Sequence, residues 1–482
     1  RDASSLELLL PLLREGNTYI TIATIRAIGK LNLTDMAGNL LDFLSDKDYY
    51  SFAYHALKEM SEDVILKLDQ GYNRTGITDK EKLRIIRLMM ETGSADTSKY
   101  LLSKIEEPNQ LILLEILKAL NKLEFQLSEF YSNRLFQVLH RVIGITAWNL
   151  AAQYCVKENN IGNHLVELFD EELKRNYDLV FEILACVYEP QTIYHIRKNL
   201  ESGTSEGIGF AIELLDIFVD ETVKPYLFPL LEDTSVIEKI NRLQTEYPLE
   251  ILKPVDLLEA IMNRDYHQIH PVPRMHGIKA IETISDFTLS DTLIAQMFNP
   301  DIAIAEMAAI QAYRLDKEVF TRTSRRIGRE RSEYLKEVAE KSSGDKIYGF
   351  FHKFSVVTSD PTFEGNGKQT LFMFSRHLKM MNLYKDDKIS FSEIVPDSNF
   401  ILYVSEGRMD IKYDGNKNLH LEKGEFLTLK ESIDIYKDSI VPGENSSVMI
   451  LPEDQLQELI FDYENEFLPF VELMNIKEFE KS

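Results

Sequence analysis

The 482-residue sequence has little glycine, proline and cysteine, and it has no long apolar run. With 21 glycines and 15 prolines, few positions demand the special backbone angles of turns, which favours helix over sheet. The two cysteines, Cys155 and Cys186, stand outside any Cys-x-x-Cys pair, as is typical of buried thiols in a reducing compartment. No apolar run approaches the roughly 18 residues of a membrane span. The sequence therefore predicts a soluble, cytoplasmic chain without a span of its own.

The net charge is -24, which disfavours nucleic acid as a partner because an acidic surface repels a phosphate backbone. Residues 322–331, here called the arginine segment, reverse this charge locally with five arginines against one acid, Glu330. Three interpretations stay open for the segment: a solvated face compensated by acids of the same chain, a contact with a membrane surface or partner, and an anion site. The candidate residues for a partner or anion contact are Arg322, Arg325, Arg326 and Arg329.

Residues 1–345 show helical periodicity, with apolar residues three and four apart and short polar breaks between the helices. The pattern of 25–31 returns 29 residues later at 54–60, and the pattern of 275–281 returns 32 residues later at 307–313. A small residue at a fixed point of each helix lets a neighbouring helix approach closely. This recurrence predicts an α-solenoid of stacked helix pairs, and an irregular helical bundle is the alternative.

The repeated pattern resembles HEAT repeats. Residues 9–13 (LLPLL) and 227–231 (LFPLL) match the first helix of such a repeat, and the alanine-containing helix at 22–31 matches the second. The region between about 100 and 200 fits this pattern loosely. The resemblance implies a HEAT-like α-solenoid over residues 1–345.

From residue 349 onward, short β-branched and aromatic segments replace the helical pattern. Residues 400–404 and 409–413 alternate as strands do, and Asp414-Gly415 after them is a hairpin signal. Helical periodicity returns after Pro452. The fold class is therefore mainly α, with a small α+β β-roll domain at 349–482 after the solenoid.

This second domain resembles the cyclic-nucleotide-binding fold. Four stretches carry the likeness in order: 374–389 as a helix, strand and turn, 401–411 as a strand pair around Gly407, 421–426 as the entry to the phosphate-binding cassette, and 447–452 as the last strand. The resemblance implies a ligand set at the cassette. Its candidate members are Gly424, Glu425, Phe426, Thr428, Lys430, Lys437 and Ser439.

The cassette departs from the family pattern Phe-Gly-Glu-x-Ala. Thr428 stands where the glycine is expected, and Leu429 stands where the family glutamate holds the ribose hydroxyl. Lys437 is the nearest substitute for the arginine that neutralises the cyclic phosphate, and lysine lacks the bidentate guanidinium. We therefore expect the fold without its ligand chemistry.

Helical repeats followed by such a β-roll resemble the soluble C-terminal region of bacterial transporters related to the ATP/ADP translocases. Residues 210–216 (FAIELLD) and 225–231 are particularly similar to their repeat region. The resemblance implies a membrane-spanning nucleotide exchanger upstream of Arg1. Such a chain would be the cytoplasmic region of an inner-membrane protein, with that membrane domain or another protein as its partner.

No pattern in the sequence indicates catalysis, a metal or a cofactor. His267, His270 and His276 match no standard zinc spacing, and residues 365–370 lack the first glycine and the hydroxyl of a phosphate loop. Neither a G-x-S-x-G nor an HExxH motif occurs. The sequence predicts a non-catalytic regulatory or scaffolding chain. A sensor whose β-roll weakly binds a nucleotide or another small ligand, and a free-standing protein adaptor, are the alternatives.

Overall fold

A computed structural model describes residues 3–123, 125, 127–162, 164–342, 347–385, 389–390, 399–413, 417–429, 439–473 and 477–478. By internal packing the chain divides into two compact units. The first unit consists of Arg1–Leu257 and Arg264–Ile269, and the second consists of Leu258–Asn263 and His270–Ser482. The second unit therefore combines the last helices before residue 345 with the region of strands. The domain boundary at 345–349 stays a prediction, and helices continue beyond it to His377 before the first strand begins at Lys379.

Helices form the first unit, and α15 crosses into the second. They are α1 (Ala3–Leu13), α2 (Thr18–Lys30), α3 (Ala37–Leu41), α4 (Tyr50–Lys58), α5 (Ile65–Tyr72), α6 (Asp79–Glu91), α7 (Thr97–Leu102), α8 (Gln110–Asn121), α9 (Glu129–Glu158), α10 (Leu165–Val187), α11 (Pro190–Glu201), α12 (Ser205–Phe218), α13 (Lys224–Leu231), α14 (Val236–Leu243) and α15 (Pro254–Asn263).

Small residues let neighbouring helices of the first unit approach closely. Gly29 of α2 lies against Ala56 of α4, and a Cβ atom at Gly29 would stand 2.7 Å from the Ala56 Cα atom. Ala56 is a small residue of the recurring sequence pattern. The predicted close approach therefore occurs at this helix pair, and the continuous solenoid stays a prediction.

Charged side chains buried in the first unit have partners. The Glu107 carboxylate accepts hydrogen bonds from the Tyr72 hydroxyl at 2.7 Å and from the Lys82 ammonium at 3.0 Å. Burying a charge is costly unless it is paired, so these contacts stabilise the packing of α6 and its neighbours.

The second unit contains further helices and all the described strands. The helices are α16 (Pro271–Ala280), α17 (Asp291–Gln296), α18 (Ile302–Leu315), α19 (Lys317–Ser324), α20 (Arg329–Lys341), α21 (Phe350–Ser359), α22 (Lys368–His377), α23 (Glu453–Asp462) and α24 (Glu464–Leu473). The strands are β1 (Lys379–Leu383), β2 (Ile389–Ser390), β3 (Phe400–Glu406), β4 (Arg408–Tyr413), β5 (Lys417–Glu422), β6 (Phe426–Leu429), β7 (Ser439–Pro442), β8 (Ser446–Pro452) and β9 (Lys477–Glu478).

The strands form two sheets, ordered β1-β8-β3-β6-β9 and β2-β7-β4-β5. Neighbouring strands are antiparallel, except that β9 runs parallel to β6. Alternate side chains of both sheets meet in one core, because successive residues of a strand point to opposite faces. The core consists of Leu383, Phe400, Leu402, Val404, Met409, Ile411, Leu421, Leu427, Val448 and Ile450. A helical body with a small β domain near the C-terminus is confirmed.

Gly407 turns the chain from one sheet into the other. The strands predicted on either side of it are present as β3 and β4, but they lie in different sheets and do not pair with each other. Gly407 has φ +78°, and a Cβ atom there would stand 2.4 Å from the Ser446 Oγ atom. Only glycine fits this corner without strain, since a side chain would meet both a disfavoured backbone angle and a steric clash.

Candidate functional site

The turn between β5 and β6 contains the first two candidate ligand residues. Gly424 has φ +89°, and its N–H donates a hydrogen bond to the Val404 carbonyl at 2.8 Å. The Glu425 carboxylate accepts a hydrogen bond from the Glu422 N–H at 3.0 Å. Glycine suits the left-handed angle, and the carboxylate closes the turn. Both residues therefore shape residues 422–429, here called the cassette turn.

Phe426 and Thr428 belong to the sheet. Phe426 is 3% exposed, and its ring stacks on that of Tyr403 with centroids 4.4 Å apart. Thr428 stands opposite Ile401 of β3 on one side and opposite Glu478 of β9 on the other. Strand β6 thus lies between β3 and β9, and the backbones of Leu427 and Thr428 are paired on both edges.

The remaining candidate ligand residues are not gathered with these four. Lys430 and Lys437 lie outside the described residues. Ser439 begins β7 and stands opposite Ser390 of β2 and Lys412 of β4, in the other sheet. The predicted ligand set stays a prediction.

A buried hydrogen bond that sequence reasoning missed joins the sheet to the end of α21. The Tyr403 hydroxyl donates to the Asp360 carboxylate, and these residues are 3% and 8% exposed. Burial, followed by the Asp360 carboxylate, raises the pKa of Tyr403 well above its usual range. The other Asp360 oxygen accepts the Thr362 N–H at 2.9 Å. The two partners are distant in sequence and carry no local signal of their contact.

Glu306 of α18 forms the second connection that the sequence did not reveal. It is 2% exposed, and its carboxylate accepts hydrogen bonds from the Tyr334 hydroxyl and, at 2.5 Å, from the Phe350 N–H. Burial raises the pKa of Glu306, although both hydrogen bonds act to lower it. Gly349 has φ +85°, and a Cβ atom there would stand 2.3 Å from the Glu306 Oε2 atom. We call Glu306, Tyr334, Gly349 and Phe350 the junction.

Lys353 extends the junction toward α22. Its ammonium donates to the Leu378 carbonyl at 2.7 Å. Burial lowers the pKa of Lys353 to about 8, against the attraction of Glu306. The start of α21 is therefore held by polar contacts to α18 and to the end of α22.

Aromatic packing accompanies these polar contacts. The Phe350 ring lies edge-on to Phe372 of α22 at 4.9 Å between centroids, and His270 contacts Phe372 at 5.4 Å. His276 of α16 lies 5.3 Å from Phe351. Helices α21 and α22 thus pack on the helices before residue 345 as well as on the sheet.

The three clustered histidines each make contacts within the chain. The His270 Nδ1 atom accepts the Val272 N–H at 3.2 Å and caps α16, and His267 packs on the Tyr266 ring. Nowhere in the described part of the chain do three or more metal-binding side chains converge. Residues 368–370 of the glycine-rich stretch form the first turn of α22 and not a loop.

Two members of the arginine segment are engaged within the chain. Arg329 pairs with Glu333 at 2.9 Å on the exposed face of α20, and Arg331 donates to the Asn299 carbonyl. Arg329 therefore has an acidic partner, as the compensated interpretation expects, whereas the partner of Arg331 is a backbone carbonyl. The interpretation of the whole segment stays a prediction.

The other members are placed differently. The Arg326 guanidinium lies 6.0 Å from the Phe298 ring centroid. Arg322 and Arg325 are exposed, line a groove, and form no ion pair with any residue that the structure describes. Within the arginine segment, Arg322 and Arg325 therefore line the groove, and Arg326, Arg329 and Arg331 do not belong to its lining.

Every helix within the described ranges is too short or too polar to cross a membrane.

Comparisons with known proteins found no matching family model and no matching curated protein. The solved structures similar to this chain include cyclic-nucleotide-binding-like domains. The heme domain of CooA from Carboxydothermus hydrogenoformans has 11% identity over 21% of this chain and 74% of that chain, with a TM-score of 0.16. The C-linker/CNBHD of zELK channels, crystallized in the presence of cAMP, has 17% identity over 34% of this chain and 87% of that chain, with a TM-score of 0.17. At these scores and identities, the likenesses assign no ligand to this chain.

Proposed function

We propose that this chain is a non-catalytic regulatory and scaffolding region attached to a membrane nucleotide transporter, and that its β-roll is a structural module without a working nucleotide cassette. The observation that carries the proposal is the position of β6 between β3 and β9. A cyclic phosphate bears a full negative charge, which needs free donors when it enters a pocket. The backbones of Leu427 and Thr428 in β6 have ladder partners on both edges.

The cassette turn offers little chemistry to replace those donors. The Gly424 N–H is bonded to β3, the Glu425 carboxylate closes the turn, and Phe426 is buried against Tyr403. Thr428 is 9% exposed, so its hydroxyl is not presented to solvent as a ligand contact. Each of these residues has a structural role that a ligand would have to disrupt.

The junction supports a regulatory role. Glu306 and Phe350 couple α18 to α21, and Asp360 and Tyr403 couple the end of α21 to β3. Helix α18 is therefore connected to the sheet through α21, with one buried hydrogen bond at each end of that helix. A partner that binds either part of the second unit would influence the other.

The attachment to a transporter rests on the sequence resemblance of residues 210–231 and on the order of repeats before β-roll. The membrane domain is then the natural partner of the helical repeats. Fractionation of the native protein tests the attachment: detection with an antibody against this chain should place it in the membrane fraction. Its recovery entirely in the aqueous fraction would contradict the proposal.

Isothermal titration with cAMP, cGMP and a cyclic dinucleotide tests the nucleotide part of the proposal. We expect no saturable heat, because losing two charge-assisted hydrogen bonds of about 1.5–3 kcal/mol each weakens a micromolar site by about a hundredfold or more. A dissociation constant below about 10 μM for any of them would favour the sensor alternative. In that case, Lys437→Gln should abolish the heat if Lys437 serves as the phosphate partner.

A further inference from the structure

A groove of about 590 Å³ is built from α18, α19 and α20 of the second unit. We call it the basic groove. Its charged and aromatic lining consists mainly of Tyr313, Lys317, Arg322, Arg325, Lys336 and Glu340. The volume falls within the range of about 300–1,000 Å³ that small-molecule sites occupy.

Positive charge in the basic groove exceeds the negative charge that could neutralise it. Four cations line the groove with two acids, Glu318 and Glu340. The pair between Lys336 and Glu340 is long, at 3.8 Å, and Arg322 and Arg325 have no ion-pair partner in the described ranges. Bringing like charges together costs free energy because they repel each other. The groove is also a local excess of positive charge in a chain whose net charge is -24.

Helix ends explain only part of this arrangement. Arg322 and Arg325 lie at the carboxyl end of α19, where the helix dipole favours cations. Lys317 is the first residue of the same helix, where the dipole disfavours a cation. The two ends of α19 nevertheless contribute cations to one groove, so a ligand of opposite charge explains the set better than the dipole does.

The walls of the basic groove are held in place by packing. The Tyr313 ring meets the buried Phe320 ring edge-on with centroids 5.3 Å apart, which fixes α18 against α19. The Lys317 ammonium lies 4.7 Å from the Tyr313 ring centroid. The groove is therefore a formed feature of the helix pair.

We propose that the basic groove binds a soluble small molecule that bears two or more phosphoryl groups. Guanidinium groups match phosphate oxygens in a bidentate geometry, and lysine ammonium groups add point charges without a fixed orientation. Several cations in one concavity suit a ligand with adjacent anionic groups better than a single phosphate. This site is separate from the β-roll, and it does not depend on the fate of the cassette turn.

A soluble ligand is favoured over a lipid headgroup. An anionic membrane would approach the whole protein, whose charge is -24. Long-range repulsion opposes that approach, whereas a small anion can enter the groove locally.

Calorimetric titration with inorganic pyrophosphate and triphosphate, at constant ionic strength, tests the proposal directly. The full chain should bind both saturably and should bind orthophosphate at least tenfold more weakly. The variant R322Q/R325Q should weaken pyrophosphate binding at least tenfold. The matched variant R326Q/R329Q removes the same charge from the same segment but lies outside the groove lining, and we expect a change of less than about threefold from long-range charge alone.

Several outcomes would overturn the inference. They are the absence of saturable pyrophosphate binding to the unmodified chain, and equal losses in the two double variants. Vesicles of phosphatidylserine and phosphatidylcholine provide the lipid arm: co-sedimentation of the chain with vesicles, without pyrophosphate binding, would assign the arginines to a membrane. Melting curves verify that each variant is folded, and K336Q offers a single substitution if the double variant is not.

Discussion

The cassette turn and the basic groove are both candidate anion sites in the second unit. The polar groups of the first are hydrogen-bonded within the protein, and two arginines of the second are exposed to solvent. In the cassette turn, the Gly424 N–H donates a hydrogen bond to the Val404 carbonyl of β3, and the Glu425 carboxylate accepts one from the Glu422 N–H within the turn. In the basic groove, Arg322 and Arg325 are exposed and have no ion-pair partner among the described residues. The family resemblance points to the first place, and the unsatisfied charge lies in the second.

The comparison shows that residue type alone does not identify a binding site. A donor or acceptor already engaged within the protein must lose that contact before it can serve a ligand, and breaking a buried hydrogen bond is costly. An exposed and unpaired guanidinium loses only water. Three single variants and one double variant test how engaged and exposed groups of the second unit differ, beginning with the largest expected effect.

Replacing Phe426 in the cassette turn should strongly destabilise the protein. Phe426→Ala removes a ring that is 3% exposed and stacked on Tyr403, and such a truncation costs about 3–5 kcal/mol. Urea unfolding followed by circular dichroism measures the loss. Phe210→Ala is the control, because that ring is 56% exposed and its removal should change the free energy of unfolding by about 0.5 kcal/mol or less. Similar effects of the two substitutions would show that the cassette turn is not structural.

Adding a methyl group at the junction should also destabilise the protein. At Gly349 a Cβ atom meets the Glu306 carboxylate and an unfavourable positive φ, so Gly349→Ala should cost more than about 1 kcal/mol. Gly328→Ala is the matched control, because nothing lies within 4 Å of its Cβ position and its φ is -51°. Thermal unfolding of both variants makes the comparison. An unchanged melting temperature for Gly349→Ala would mean that the Glu306 side chain can move away from the added methyl group at little cost in free energy.

The raised pKa of Glu306 predicts a pH-dependent difference between the unmodified chain and Glu306→Gln. A carboxyl group whose native pKa is raised contributes stability below its unfolded pKa, and this contribution is lost as the pH rises through the native pKa. The free energy of unfolding of the unmodified chain, minus that of the variant, should therefore increase as the pH falls from 7 toward 5. Urea titrations at several pH values measure this difference, which includes the effect of Glu306 on the pKa of Lys353. A flat or opposite trend would show that Glu306 is not held in the buried environment described.

The smallest effect on stability is expected in the basic groove. R322Q/R325Q removes two exposed cations that have no ion-pair partner in the described ranges, and exposed substitutions of this kind change stability by about 0.5 kcal/mol or less. Differential scanning calorimetry measures the change. A clear drop in melting temperature would mean that both arginines stabilise the native chain, and the contrast with the cassette turn would be lost.

Much of the order of elements could be predicted from the sequence. Alternating residues identified β3 and β4, and the exit from Pro452 into a helix is present as α23. These features are local, because a strand shows a period of two and a helix shows a period near 3.6 within a few residues. Gly407 and Gly424 were also found at turns, since their positive φ angles suit glycine.

The contacts on which the proposals rest could not be predicted from the sequence. The pairing of Thr428 with Glu478 joins residues far apart in sequence, and so does the bond from Phe350 to Glu306. No periodicity encodes such contacts. For the arginine segment, the sequence showed only that the charges are clustered, whereas the structure shows that Arg322 lines the groove and that Arg329 pairs with Glu333.

The hydrogen bond at the start of α21 has one more consequence. Amide groups in the first turn of a helix have no intrahelical acceptor, so they ordinarily exchange their protons with solvent rapidly. The Phe350 amide is the first of α21, yet its proton is donated to a carboxylate that is 2% exposed. Deuterium uptake at this single position should consequently be slow, and it should accelerate whenever a ligand or partner separates α21 from α18. The rate of deuterium uptake at the Phe350 amide would therefore report whether α21 stays in contact with α18.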